Sequence, residues 1–234
     1  MIDLEKGKDR HGKEKVALGI KEPDKVFTRK YKNPKDIWLS RSKFDDYKKC
    51  KRCFYLITFK GLIPPGTPQF TMNSTTDKLL KKEFDICREI QKSHKTLIAN
   101  NLEHIIPYKN NDIAKNIYGD PIVESKSKAQ YKKMEAWRNN FHGLQARFKD
   151  TNYVLYGSVD DIWLDTKNNS LILVDYKSQA NAEKVSQETY FDGEYKEGYQ
   201  RQLDFYSYLL KKQNLKENIA DYAYLYVVNT RGLE

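Results

Sequence analysis

The chain has 234 residues, enough to bury a sizeable core as one domain, and carries 42 Lys and Arg against 32 Asp and Glu, a formal charge of +10. That balance favours a polyanionic partner, nucleic acid before a membrane, because no amphipathic basic segment stands out. No stretch of about 18 consecutive apolar residues occurs, so no helical membrane span is expected, and residues 1–25 alternate charges without the apolar run of a secretory leader, so a cytoplasmic protein is expected.

Residues 1–36 are dense in charge, broken by glycine and proline and poor in periodic apolar content. They read as a mobile or loosely docked arm, and residues 37–234 as the folded domain. The domain opens at Ile37-Trp38-Leu39, after which Ser40 is expected to cap a single helix through SRSKFDDYKKCKRCFYL, packed down by Phe44, Tyr47 and Phe54. Cys50-x-x-Cys53 is half of a zinc or iron–sulfur ligand set, and Cys87 lies far along the chain, with His94 or His104 available to complete a site. An odd number of cysteines without a leader argues against a disulfide framework, so the thiols are expected to be reduced and partly buried.

The proline-dense run GLIPPGTPQF at 61–70 reads as a loop leading to a helix over 74–92, in which Ser74 with Asp77 three residues on fits a capping box. Residues 98–106 read as a short helix or strand and 108–119 as a polar connection. A helix is expected over 128–140, with Tyr131, Met134, Ala136 and Trp137 partly inside.

Residues 153–164 and 171–178 are rich in β-branched and aromatic residues, and the turn formers Asp165-Thr166-Lys167-Asn168-Asn169-Ser170 between them signal a hairpin. If Leu164 and Leu171 close the loop as partners, counting back along both strands sets Asp160 opposite Asp175, about 5 Å apart at Cβ. Lys177 returns to the face of Asp175 by the period of two. Like charges set opposite each other destabilise a sheet. Lys177 can neutralise one carboxylate, and a divalent cation with oxygen ligands would neutralise both.

A polar excursion follows at 179–194. Next comes a helix over 195–212 with Tyr199, Leu203, Tyr206, Leu209 and Leu210 toward the core, and with Gln202 and Tyr206 one turn apart on one side. A last strand is expected at 220–229. The fold class is therefore α/β, a mixed central sheet with the hairpin in its middle and helices on both faces.

Gly157-x-x-Asp160, Asp175-x-Lys177 at the end of an apolar run, and Gln202-x-x-x-Tyr206 together resemble the PD-(D/E)XK nuclease superfamily, and within it the RecB-like branch of CRISPR adaptation exonucleases and helicase-associated nuclease domains. The resemblance extends from about Trp38 to the C-terminus. Leu39, Ser40, Ser42, Cys50 or Cys53, and Phe54-Tyr55 are similar to that branch's entry helix. It implies a restriction-endonuclease-like core and metal-dependent hydrolysis of phosphodiesters, DNA before RNA. In that role Asp160, Asp175 and the Tyr176 main-chain carbonyl would hold one or two Mg²⁺ or Mn²⁺ ions, with Lys177 orienting the attacking water.

Asp77 stands where relatives place a further ligand, so the cap and ligand readings both stand. Gln202 would contact a phosphate or a metal-bound water, and Tyr206 would steady the strands. Relatives with a four-iron cluster use three cysteines near the C-terminus, and none follows Cys87 here, so no cluster is expected. Gly-x-x-x-x-Gly-Lys-Ser/Thr is absent, so ATP-driven movement would come from a helicase or other nucleoprotein partner. The competing reading is a nuclease fold without catalysis that binds nucleic acid or a partner protein.

Overall fold

Apolar runs separated by polar turns divide the chain into short elements, which the computed structural model describes over residues 35–59, 71–180, 185–186, 190, 197–229 and 231. The expected arm up to residue 34, the loop at 61–70 and most of the polar excursion at 179–194 lie outside the described residues. The chain falls into two compact units, one of Met1–Gln69 with Arg147–Tyr156, the other of Phe70–Ala146 with Gly157–Glu234.

In the first unit, strand β1 (Ile37–Ser40) runs parallel to β4 (Tyr153–Gly157), with Ile37 opposite Tyr153 and Ser40 opposite Tyr156. Buried Asp36 takes both guanidinium nitrogens of Arg147, at 2.8 and 2.9 Å, a bidentate pair that ties the entry of β1 to the chain just before β4. The expected single entry helix is instead two, α1 (Arg41–Lys49) and α2 (Lys51–Phe59), interrupted at Cys50, whose backbone is extended (φ −157°, ψ 99°). Ser40 does occupy the N-cap position of α1, but its hydroxyl meets that of Ser42 at 2.9 Å and caps no backbone N–H. Cys50 and Cys53 are joined as a disulfide, against the expectation of reduced thiols, because the break at Cys50 turns the two side chains of this three-residue spacing toward each other.

In the second unit the chain forms α3 (Thr71–Ile90), α4 (Lys95–Ala99), β2 (Ile105–Pro107) and α5 (Lys133–Trp137). Strand β3 (Leu144–Arg147) leads out of it, and after Tyr156 the chain returns to make β5 (Asp161–Asp165), β6 (Ser170–Gln179), α6 (Glu197–Lys211) and β7 (Asn218–Asn229). The sheet order is β2-β5-β6-β7, antiparallel except for the parallel β6–β7 pair, so the hairpin occupies the middle of a mixed sheet as expected. The first arm of the hairpin is β5 alone, however: the strand expected over 153–164 divides, and Tyr153–Gly157 forms β4, which pairs with β1 instead. Its register is the expected one, Leu164 opposite Leu171 and Asp161 opposite Val174. Asp165 builds the turn, its carboxylate accepting the N–H groups of Lys167 (2.8 Å) and Asn168 (3.2 Å), while Asn169 adopts φ 49°.

One sheet face packs on α3 through Leu80, Phe84, Leu97, Ile105, Trp163, Ile172, Val174 and Tyr176. Phe84 is the centre of this cluster, fully buried with ring centroids at 4.4 Å from His94, 4.9 Å from Trp163, 5.4 Å from Tyr226 and 5.7 Å from Tyr176. His94 also caps α4, its Nδ1 accepting from the Thr96 N–H at 3.3 Å. A cysteine–histidine metal site is not assembled: among the described residues no group of three or more His, Cys, Asp or Glu side chains is placed to hold an ion.

Two helix boundaries differ from expectation. Helix α3 begins at Thr71, so Ser74 lies within its first turns and forms no capping box with Asp77. The helix expected over 128–140 shrinks to α5, because bridges from Ile113 to Lys132 and from Val123 to Gln130 draw the preceding residues into extended pairing. Among the described residues no helix is long and apolar enough to cross a membrane. Phe84→Ala removes the ring on which the α3 face converges and is expected to lower the unfolding free energy by about 3–5 kcal/mol. A urea titration measures this, and a loss under about 1 kcal/mol would mean the sheet is held elsewhere.

Candidate active site

Strand β6 outlasts its neighbour. Its pairing with β5 ends at Asp161 opposite Val174, and the residues after Val174 have β7 on one edge while the other edge is left to side chains. Asp160, the residue just before β5, fills the next ladder position with its carboxylate, Oδ2 accepting the Tyr176 N–H at 2.9 Å. In a strand the N–H and C=O of one residue point to the same edge, so the Tyr176 carbonyl lies on the Asp160 side.

The period of two then aims Asp175 and Lys177 at the face opposite the Phe84 cluster. Asp175 is 2% exposed. Its Oδ1 accepts from Gln202 Nε2 of α6 at 2.6 Å, and its Oδ2, which receives no hydrogen bond of good geometry, lies in an ion pair with the Lys177 ammonium. Lys177 in turn lies 4.7 Å from the ring centroid of Tyr199, one helical turn before Gln202. From α3, Lys81 reaches Asp160 Oδ1 at 3.4 Å and Asp77 Oδ2 at 2.9 Å. Burial first, and then the negative charge of Asp160, push the Asp175 carboxyl up to about 6, with Lys177 acting in the opposite sense.

The other face of the same strand end carries a buried polar network. Asp161, fully buried, pairs with Arg88 and accepts from the Tyr176 hydroxyl at 2.7 Å and from Trp163 Nε1 at 3.3 Å. Arg88 also donates through Nε to the Tyr108 carbonyl at 2.8 Å and pairs with Asp85. Asp85 is shared with Arg138 (2.6 Å), whose Nε donates to the Asp160 carbonyl at 3.1 Å. Asp160 is thus held through its main chain by one cation and through its carboxylate by Lys81 and a strand N–H.

Gly157 explains the glycine of the Gly-x-x-Asp segment. A Cβ there would lie 2.4 Å from Tyr206 Cε1, and Gly143, at φ 64°, backs onto the Gly157 main chain with room for no side chain of its own. Tyr206, 8% exposed, therefore packs directly on the turn that presents Asp160.

Of the residues expected at the site, Asp160, Asp175, the Tyr176 main chain, Lys177 and Gln202 come together at one strand end, Asp77 joins through Lys81, and Tyr206 lies behind Gly157. Lys81 and the Asp161–Arg88–Asp85–Arg138 network went unread in the sequence. The spacings Asp77 to Lys81 and Asp85 to Arg88 are the helix-surface signals that mark them. The donors suit a hard divalent cation: oxygens only, two carboxylates within hydrogen-bond reach of each other, and a buried Asp175 Oδ2 met by the displaceable Lys177 ammonium.

Because folding raises the Asp175 value above the ordinary ~3.9 of an aspartate, its contribution to stability is fully present below about pH 4 and is lost as pH rises through about 6. In EDTA, Asp175→Asn is therefore expected to exceed the parent protein in stability by roughly 3 kcal/mol above pH 7, the gap closing toward pH 4. Urea titrations between those limits measure it, and a gap independent of pH would dissociate the effect from Asp175 ionisation.

No curated protein matches the chain, and no solved structure does. Residues 38–232 do match the family model described as the PD-(D/E)XK nuclease superfamily. That match begins in the first strand and ends beyond the last, taking in the whole of the strand-end carboxylate cluster, and the chain belongs to the PD-(D/E)XK nuclease superfamily, nucleases that generally use divalent metal ions.

Proposed function

We propose that this chain is a RecB-like nuclease that hydrolyses phosphodiester bonds of DNA with Mg²⁺ or Mn²⁺. The observation that carries the reading is a buried Asp175 beside Asp160 with Lys177 paired to it at the open edge of β6. A buried carboxylate beside a second one is costly without countercharge, and among the described residues the cations on these two carboxylates are lysines on flexible stems, which a metal ion can displace. Asp160, Asp175 and the Tyr176 carbonyl would hold the ion, with the Asp77 carboxylate available as a further oxygen once Lys81 moves. When bound, the ion neutralises the carboxylates, lowers the pKa of water and offsets charge on the scissile phosphate.

The remaining roles belong to the chain's own side chains. Gln202 fixes the Asp175 rotamer through Oδ1, leaving Oδ2 turned to the site. Lys177, held over Tyr199, orients the attacking water and offsets charge developing on the phosphate oxygens. Tyr206 keeps the Gly157 turn, and with it Asp160, from shifting. The formal charge of +10 supports a polyanionic substrate, and the RecB-like motif set favours DNA.

The test is cleavage of linear and circular, single- and double-stranded DNA, with RNA in parallel, in Mg²⁺, in Mn²⁺ and in EDTA. Metal-dependent cutting of DNA that Asp175→Ala abolishes is the expected result, and cutting of RNA alone would reassign the substrate. Lys177→Ala is expected to lower the cleavage rate by about 10²-fold or more with DNA affinity nearly unchanged, and a fully active variant would sink the assigned role of the lysine. DNA bound but never cut would instead favour a nuclease fold that serves as a binding module.

A further inference from the structure

The junction of α1 and α2 in the first unit holds a second chemical centre, separate from the carboxylate cluster. We propose that Cys50 and Cys53 are a redox-active dithiol that exchanges with small disulfides of the glutathione class, cycling between two thiols and the intrachain bridge. The two residues are three apart with Cα atoms at 5.2 Å, within the range a disulfide spans without backbone movement. Cys50 is the C-cap of α1 and directly precedes α2, and the Cys53 N–H in the first turn of α2 donates to its Sγ at 3.1 Å, so a thiolate at Cys50 would have a hydrogen bond in place.

Charge in the sequence acts in the same sense. Lys48, Lys49, Lys51 and Arg52 flank Cys50, and no acid occurs from Tyr47 to Phe59. Both cysteines are partly exposed, which admits a small reagent. A bridge of sequence separation 3 closes so short a loop that it constrains the unfolded chain far less than a long-range bridge would, which suits a reversible bond better than a structural staple. Cys87 is an internal contrast: burial and the charge of Glu83 push its thiol up, and no second cysteine is bonded to it.

In the forward direction the Cys50 thiolate attacks one sulfur of R–S–S–R, forming a mixed disulfide and expelling one RS⁻, which takes up a proton. Cys53, as thiolate, then attacks the Cys50 sulfur, closing the intrachain bond and releasing the second RSH. The protein gives up two electrons and two protons, and the small disulfide becomes two thiols.

The experiment uses the full chain and reads sulfur chemistry, so its outcome is independent of nuclease activity. With the protein fully reduced at pH 7, iodoacetamide labelling followed by mass spectrometry is expected to modify Cys50 about tenfold or more faster than Cys87. Equilibration with oxidised and reduced glutathione is expected to form the Cys50–Cys53 bridge reversibly. Cys53→Ser, or Cys53→Ala if the serine variant misfolds by circular dichroism, should stop at a single glutathione on Cys50. Equal labelling of Cys50 and Cys87, or a glutathione adduct that persists on Cys50 in the unsubstituted chain, would overturn the proposal.

Discussion

A carboxylate removed from water beside a second carboxylate needs positive charge close by, and the arrangement of the second unit meets that need from several directions. Lys177 comes from the same strand, Lys81 from α3, and the Gln202 amide from α6 takes the one oxygen of Asp175 that no cation touches. Each lies on a different segment, so the strand end is correct only when both flanking helices are in place. Lysine rather than arginine makes the two direct contacts, and an ammonium on a flexible stem swings aside more readily than a forked guanidinium. Arginine appears where nothing is required to move, in the buried pairing of Arg88 with Asp161.

The alternation of β6 divides these tasks by face. Ile172, Val174 and the Tyr176 ring enter the aromatic cluster under α3, whereas Asp175 and Lys177 turn to α6. Tyr176 belongs to both sides, its hydroxyl bonded to Asp161 within the support network and its N–H bonded to the Asp160 carboxylate. Burial and the neighbouring Asp161 raise the pKa of that hydroxyl, which keeps it a donor and the joint between the two faces intact.

Legibility in the sequence follows the range of the interactions. The hairpin register depends on local alternation and on a turn whose Asp165 satisfies its own backbone, and it was readable to the residue. From it came the juxtaposition of Asp160, Asp175 and Lys177. Gln202 was readable only through the family resemblance, since nothing in a helical pattern distinguishes a helix-forming glutamine from one that reaches a carboxylate 27 residues earlier. Lys81 looked like one more lysine on a basic helix face because its partner Asp160 is 79 residues away. The shortening of α5 has the opposite cause, since pairing with other segments overrides local helix propensity there, whereas the break at Cys50 is local, an extended residue in front of the Cys50–Cys53 bridge.

The parallel pairing of β6 with β7 has a consequence for the order in which the molecule assembles. The β5–β6 hairpin closes over a few residues, so its two acids can meet early, while both remain hydrated and repel each other only weakly. The β6–β7 ladder needs α6 to cross over first, and that late, non-local closure carries Gln202 to Asp175. Enclosure of Asp175 thus depends on the non-local closure as well as on the hairpin. A chain that ended before β7 would leave the strand that carries Asp175 and Lys177 without its parallel partner.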